Sequence, residues 1–565
     1  MQKNGTVFYS PYLLIGLIIM QLKTRFVSSL EKVFPDEELN CSELNSYSAM
    51  KGEIFSAQLA MQIDCGIRQD IDVKINAPDY LKIRLHIVRS VPVMMPADQT
   101  ADDDFLRKTA GLYPDLLVPY TGFFPIVPKQ WRSLWFEVEI PEDADAGECK
   151  IEFTLFNKEV GESKTLTFSL TVIDAVLPKQ NIRYSCWVHY DCLATYYDVP
   201  VFSEEHWTII ENYIKHYVKY GGTTILTPLL TPPLDTEVGG ERPTVQLVDA
   251  EYKNGEFIYD FAKFRKFVDI SLECGITNFE IAPFFTQWGA KFAPKVIIKV
   301  DGEYVKMFGW DTPSDDPLYV KFLREIIEYV KEYMSAKKLL SNTFFRFSDE
   351  PSEENLPSYS AARESIKDLL EDCNTQDALA HYEFYKKGLV KFPVVPNDSI
   401  DEFIEKGFQH RSTYYCCGQL NKVSNRLIAM PSYRNRIIGI QFFKYNIEMF
   451  LQWGYNFWYS QLSKKHINPF CCTDSEDKFP AGDPFVVYPG ENKNPLPSLR
   501  EIVFFEALQD MRALQLLSQL TSFEETVEFI DNECHMNLTF KEYPRSAECL
   551  LDFRRKVNEK INTLL

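Results

Sequence analysis

"TFFRFSDEPSEE", residues 343–354, carries Phe344, Phe345 and Phe347 straight into the adjacent acids Asp349 and Glu350, and Pro351 follows at once. An aromatic run of this length that stops at a proline reads as a short buried strand. Ser352 or Asp349 then caps a helix whose positive N-terminal end accepts Glu353 and Glu354. The stretch is therefore a strand, an acidic pair at its C-terminal end, and a helix start. Whether that pair is more than a cap depends on how many such units surround it.

From residue 181 the chain repeats the same unit. Eight candidate strands follow: "YSCWVHY" (184–190), "TTILTPL" (223–229), "NFEIAPF" (278–284), "TFFRFSDE" (343–350), "DALAHYEFY" (377–385), "RSTYYCC" (411–417), "IIGIQFF" (437–443) and "FLQWGYNFW" (450–458). Amphipathic segments with roughly 3.6-residue apolar spacing lie between most of them. One of these is "SEEHWTIIENYIKHYVKYG", with Ser203 as cap and Gly221 as stop. Only the gap between the seventh and eighth candidates is too short for a full helix. Eight strands with helical crossovers predict a (β/α)8 TIM-type barrel. No Gly-rich phosphate loop follows the first strand, which argues against a doubly wound open sheet.

Before the barrel, residues 24–178 read as an all-β sandwich. Leu134, Phe136, Val138 and Ile140 alternate with polar or amphipathic neighbours, as do Leu166, Phe168, Leu170 and Val172, with Gly- and Asp-containing turns between the strands. The expected division is an apolar N-terminal extension (1–23), the sandwich (24–178), the barrel (179–517) and a C-terminal helical extension (518–565). The run "YLLIGLIIMQL" (12–22) is too short to span a bilayer. It reads as an extension upstream of the folded protein, with a cleaved signal as the alternative.

Composition narrows the function. A net charge of −20 with no basic block argues against nucleic acid and anionic membrane as partners. Thirteen cysteines, including the vicinal pairs Cys416-Cys417 and Cys471-Cys472, suit reduced thiols in the cytosol better than a disulfide framework. No CxxC or HExxH occurs, so no metal and no cofactor is expected; a site built from Cys471, Cys472 and His466 is a minor alternative.

In such barrels the chemistry sits at the C-terminal strand ends. Those ends and the loops after them present His189, Tyr190, Asp191, Arg242, Gln287, Trp288, Tyr382, Glu383, Tyr415, Gln441, Trp453, Tyr455 and Asn456, beside Asp349 and Glu350. Rings for sugar faces and amides and acids for hydroxyls suggest a carbohydrate site. Trp453 and Trp458 are separated by an odd number of residues, so only one can face the barrel mouth.

A glycosidase with two catalytic carboxyls holds them about 5–5.5 Å apart for retention or 6.5–9.5 Å for inversion. The run assigned to strand seven has no carboxylate, which leaves Asp191 or Glu383 as a partner for Glu350. Hydrolysis assisted by the substrate's own 2-acetamido group needs one acid/base and one carboxylate for the acetamido N–H, which suits neighbouring acids. Repulsion within the pair is then expected to keep Glu350 protonated and Asp349 ionised. A sugar-binding barrel without catalysis is the third reading.

"FRFSDEP" (345–351), "WGYNFW" (453–458) and "FPAGDPFVVYPG" with "LREIVFFEALQDMRAL" (479–490 and 499–514) resemble proteins carrying the domain of unknown function 4091. These are related to glycoside hydrolase family 123, retaining β-N-acetylgalactosaminidases. The resemblance covers roughly residues 180–517. It implies Glu350 as acid/base and Asp349 as stabiliser of an oxazolinium intermediate.

Overall fold

The computed structural model describes residues 22–64, 68–158 and 161–565. The predicted apolar extension lies outside the described residues except for Leu22 and Lys23, which open the first strand. The chain groups into two units, one holding the residues up to Val88 with Val118–Val176, the other holding Arg89–Leu117 with Leu177–Leu565.

The first unit is rich in sheet. One five-stranded sheet runs in the order Leu22–Ser28, Ile54–Ile63, Arg132–Glu139, Lys82–Val93, Gly111–Pro119; the other runs Ser46–Lys51, Glu162–Val176, Gly147–Asn157, Gln69–Asn76, Phe124–Ile126. Leu134, Phe136, Val138 and Ile140 are buried as predicted, but so are Ser133, Trp135 and Glu137 beside them, so this strand is covered on both faces. Phe26 and Phe136 of one sheet meet Phe153 and Phe168 of the other edge-on or tilted at 4.9–5.6 Å, closing a shared core. The expected bounds 24–178 need one change: Arg89–Leu117, which contains the ends of two strands, groups with the second unit.

The second unit is built on a closed barrel of eight parallel strands. In order they are Arg183–Cys186, Thr224–Thr227, Asn278–Ile281, Thr343–Phe345, Asn374–Ala378, Phe392–Pro396, Ser412–Tyr414 and Met449–Gln452, and the eighth pairs back onto the first. The helical layer is uneven. It ranges from the four-residue helix Lys367–Leu370 before strand five to the 22-residue helix Leu499–Leu520 after strand eight. Ser203 caps Glu204–Lys219 by accepting the His206 N–H, as predicted. Insertions after strands two and three form a separate four-stranded sheet from Asp249–Lys253, Glu256–Asp260, Val296–Val300 and Glu303–Phe308.

Two strand assignments are corrected. "FPVVP" (392–396) is strand six, although its two prolines argue for a loop. "RSTYYCC" therefore contains strand seven, and "IIGIQFF" is not a strand but lies mostly in the helix Ile438–Lys444. A short, wholly apolar run has no period that separates strand from helix. Gly439 decides the matter by packing: a Cβ there would overlap the Ala507 carbonyl of the helix Leu499–Leu520. The gap between strands seven and eight accordingly holds two helices, Ser432–Arg436 and Ile438–Lys444.

The C-terminal residues form the helices Phe523–Cys534 and Ala547–Leu564. Among the described residues no helix is long and apolar enough to cross a membrane.

Candidate active site

A cavity of about 210 Å³ opens at the C-terminal end of the barrel, and both Asp349 and Glu350 line it. Strand four ends at Phe345, and the chain leaves the sheet before the acids. That departure removes the difficulty that successive strand residues point to opposite faces. Glu350 adopts φ +40°, a left-handed conformation that costs a non-glycine residue of order 1 kcal/mol or more and is typical of functional sites. The turn is fixed from outside: the Trp288 N–H donates to the Asp349 carbonyl (3.0 Å), and the Ser348 hydroxyl donates to the Thr286 carbonyl (2.8 Å).

The two acids have different surroundings. Asp349 is half-buried and accepts from Arg346 Nη2 at 3.0 Å. Arg346 is fully buried; it also donates to Glu280 of strand three (2.5 Å) and lies 3.7 Å from Asp377 of strand five. The guanidinium stacks on Trp187, 4.6 Å from the ring centre. Asp377 in turn accepts the Phe347 N–H and the Tyr359 hydroxyl, which ties strand five to the turn that carries the acids. Glu350 is exposed, and its Oε1 accepts from the Tyr414 hydroxyl of strand seven at 2.7 Å.

Burial pushes Asp349 up to about 7; Arg346 opposes the rise, while Glu350 and Glu280 add to it. The expectation that Asp349 would simply stay ionised is thus corrected. The carboxyl held near neutrality is Asp349, because it is the one withdrawn from water. Burial likewise raises Asp377 and Asp483 to about 7 and Asp235 to about 6.

Of the other predicted residues, Gln287, Trp288, Tyr415 and Trp453 line the cavity. Trp288 stands 45% exposed at the rim, whereas Trp458 is buried, so Trp453 is the one that faces the mouth. Tyr415 lines the cavity although buried.

Nine predicted residues do not line it. Asp191 and Arg242 form a buried bidentate pair (2.7 and 2.8 Å), and Arg242 also donates to His189 Nδ1 at 3.0 Å. His189 Nε2–H donates to the Trp453 carbonyl at 2.9 Å. Burial and the Arg242 charge lower His189 to about 3, so it stays neutral and serves as a brace behind Trp453. Asn456 clamps the His189 backbone through both amide atoms (2.8 and 3.1 Å). Tyr190 donates to the Leu226 carbonyl, and Tyr455 is buried against Tyr217. Tyr382 and Glu383 sit on the short helix after strand five, bonded to the Lys406 carbonyl and paired with Lys386. Gln441, on the helix misread as a strand, donates to the Thr539 and Phe540 carbonyls.

Several contributors escaped the sequence reading. Trp187, Asp235, Gln452 and Phe479 also line the cavity, beside Tyr414, which the sequence places at a strand end, and the vicinal pair Cys416-Cys417. Asp483, in the "PAGD" loop, accepts from the indole N–H of Trp453 at 2.9 Å. Arg346 was legible as a lone cation inside an aromatic strand beside two acids. Glu280 and Asp377 carried no such signal, since single acids near strands are common. Among the described residues no group of three or more His, Cys, Asp or Glu is placed to hold a metal ion.

The family pattern for the glycoside hydrolase 123 catalytic domain matches residues 187–517, more than half of the chain. Among solved structures, a family 123 glycoside hydrolase from Clostridium perfringens, described for glycolipid glycan hydrolysis, aligns with a TM-score of 0.71. It is 15% identical, and the alignment covers 96% of this chain and 97% of that one. That likeness is one of fold. A FixG-related protein from Vibrio parahaemolyticus (7% identity, 21% of this chain and 78% of that, TM-score 0.13) and a PapD-like domain of human CEP192 (8%, 31% and 99%, 0.15) match too weakly to carry an argument. Comparison with curated proteins finds no match. A parallel barrel with an acidic pair at the end of strand four, matched over residues 187–517 by one family pattern, places this chain in glycoside hydrolase family 123, as a glycoside hydrolase.

Proposed function

We propose that this glycoside hydrolase is a retaining β-N-acetylhexosaminidase of galactosaminidase type, working by substrate assistance on a barrel of the (β/α)8 kind. The observation that carries the reading is the composition of the cavity wall. Asp349 and Glu350 stand side by side on it, strand seven contributes Tyr414 where a second carboxylate would be needed, and neither Asp191 nor Glu383 reaches the cavity. The remaining lining acid, Asp235, is tied to the loop after strand eight, accepting the Leu462 N–H at 2.8 Å.

In this mechanism the acetamido carbonyl oxygen attacks the anomeric carbon while Glu350 gives its proton to the leaving oxygen. Asp349 accepts the acetamido N–H as the oxazolinium forms, and the growing positive charge draws the Asp349 proton equilibrium toward the carboxylate. Water, deprotonated by Glu350, then opens the ring with net retention. Arg346 holds Asp349 in place; Tyr414 holds Glu350; Trp453 and Trp288 offer rings to the sugar and its aglycone.

The test compares an aryl 2-acetamido-2-deoxy-β-galactoside with its 2-hydroxy analogue. Turnover of the acetamido sugar alone supports the reading; turnover of the 2-hydroxy sugar alone overturns it. Glu350→Gln should lower kcat by 10²-fold or more (order of magnitude) on poor leaving groups and less on activated aryl groups. Asp349→Asn should be severe with both; near wild-type rates would remove Asp349 from the mechanism.

A further inference from the structure

The vicinal pair Cys416-Cys417 finds no role in the glycosidase chemistry, yet it follows strand seven directly, two residues after the tyrosine that holds Glu350. Both residues line the catalytic cavity and both are half-buried free thiols. The Cys416 thiol lies 3.3 Å from Gln419 Oε1. Two side chains fix the dipeptide backbone: Gln419 accepts the Cys416 N–H (2.9 Å) and Asn425 donates to the Cys416 carbonyl (2.9 Å). The second vicinal pair lacks this arrangement. Cys471 is exposed, Cys472 turns to Asp474 (3.5 Å), and neither lines the cavity.

We propose that Cys416 and Cys417 form a dithiol site in the cavity wall for a monosubstituted trivalent arsenical or an equivalent soft metalloid centre, and that occupying it blocks hydrolysis. The ligand class follows from the donor set. Two adjacent free thiols lining one cavity suit a centre that takes two thiolates and brings its own third substituent. Zinc sites draw three or four protein ligands, and among the described residues no third His, Cys, Asp or Glu completes such a set. A disulfide between adjacent residues is a poorer product, because their Cα atoms are held about 3.8 Å apart, below the usual disulfide range.

The reaction balances without an oxidant. R–As=O meets two thiols, two As–S bonds form, the As=O bond is lost, and its oxygen leaves with the two thiol protons as one water. The arsenic then carries R into the cavity beside Glu350, where the sugar would sit.

The experiment titrates the full-length enzyme with phenylarsine oxide and follows both turnover and intact mass. One equivalent should reduce activity at least ten-fold, with a mass gain of one phenylarsenic adduct. A dithiol such as 2,3-dimercaptopropanol should reverse the loss and a monothiol should not. Cys417→Ser and Cys416→Ala, tested separately so that one misfolded variant does not decide the matter, should resist the arsenical, read as the treated-to-untreated activity ratio of each variant. The variant lacking Cys471 and Cys472 should remain sensitive. Full activity of the wild-type enzyme at one equivalent overturns the proposal, as does protection by loss of Cys471 and Cys472. The readout needs only hydrolysis of whichever glycoside is turned over, so it is independent of the acetamido mechanism.

Discussion

Asp349 leans on Arg346 at 3.0 Å, while Glu350, one residue on, reaches across the barrel to Tyr414 at 2.7 Å. Their unequal burial has a measurable consequence. Because Asp349 is held near 7 against an ordinary 3.8, the folded state binds more protons than the unfolded chain between those values, and stability falls as pH rises through that window. Asp349→Asn mimics the protonated acid. It should therefore raise stability by about 1–3 kcal/mol above pH 7, the gain fading toward pH 4, while turnover collapses. Thermal melts at pH 8 and pH 4.5 check this, and an equal Tm shift at both would refute it. Arg346 is the one cation lowering Asp349, so weakening it must move Asp349 upward. Arg346→Lys keeps a charge in the buried site but cannot span Glu280 and Asp349 as the guanidinium does. The acidic limb of its kcat/KM profile should shift to higher pH; an unmoved limb would show that Arg346 does not set the ionisation of Asp349.

At the level of elements, strand eight and the loop after it act as one piece. Gln452 donates to the Asp483 carbonyl (3.1 Å), Trp453 donates to the Asp483 carboxylate, and Gly454 allows the two segments to meet. A Cβ on Gly454 would fall 2.5 Å from the Asp483 carbonyl oxygen and closer still to that of Pro484. Gly454→Ala should thus cost about 2–4 kcal/mol of stability and push Asp483 off Trp453. Denaturant unfolding checks the first effect and the second is read as a raised KM; a variant with wild-type midpoint and KM would contradict the close approach. The same element scale explains the misread strands. "FPVVP" and "IIGIQFF" are equally buried, and the residues alone favoured the wrong one.

Across the second unit, the helix Leu499–Leu520 anchors distant parts of the chain. Arg500 forms a bidentate pair with Asp115 of the segment 89–117, and Asp510 joins Arg436 to Arg554 of the C-terminal helix, all nearly or fully buried. Burial alone would raise Asp510, but the two guanidinium groups more than offset it and hold it below the usual range. That contribution is present above the unfolded-state pKa and is lost as pH falls through the lower folded one. Arg554→Met should cost about 2–4 kcal/mol near pH 7 and less in acid, measured by unfolding at both. No loss at pH 7 would mean that the C-terminal helix is not anchored there.

Much was legible in the residues themselves. Alternation in 134–140 and 166–172 specified strands, and in 166–172 it also gave the one buried face, whereas Trp135 and Glu137 of the other strand are covered as well. The aromatic run stopping at Asp349-Glu350-Pro351 marked both the strand end and the acidic pair. What only the tertiary structure decided was which residues meet. Barrel closure brings Tyr414 and Asp483 toward an acid more than sixty residues away in the chain, and it turns Asp191, Gln441 and Asn456 to bracing or packing roles elsewhere. Which acid of the pair holds its proton near neutrality was likewise undecidable from adjacency, since it depends on exposure to water, and only the packing of strands three, four and five around Arg346 sets that exposure.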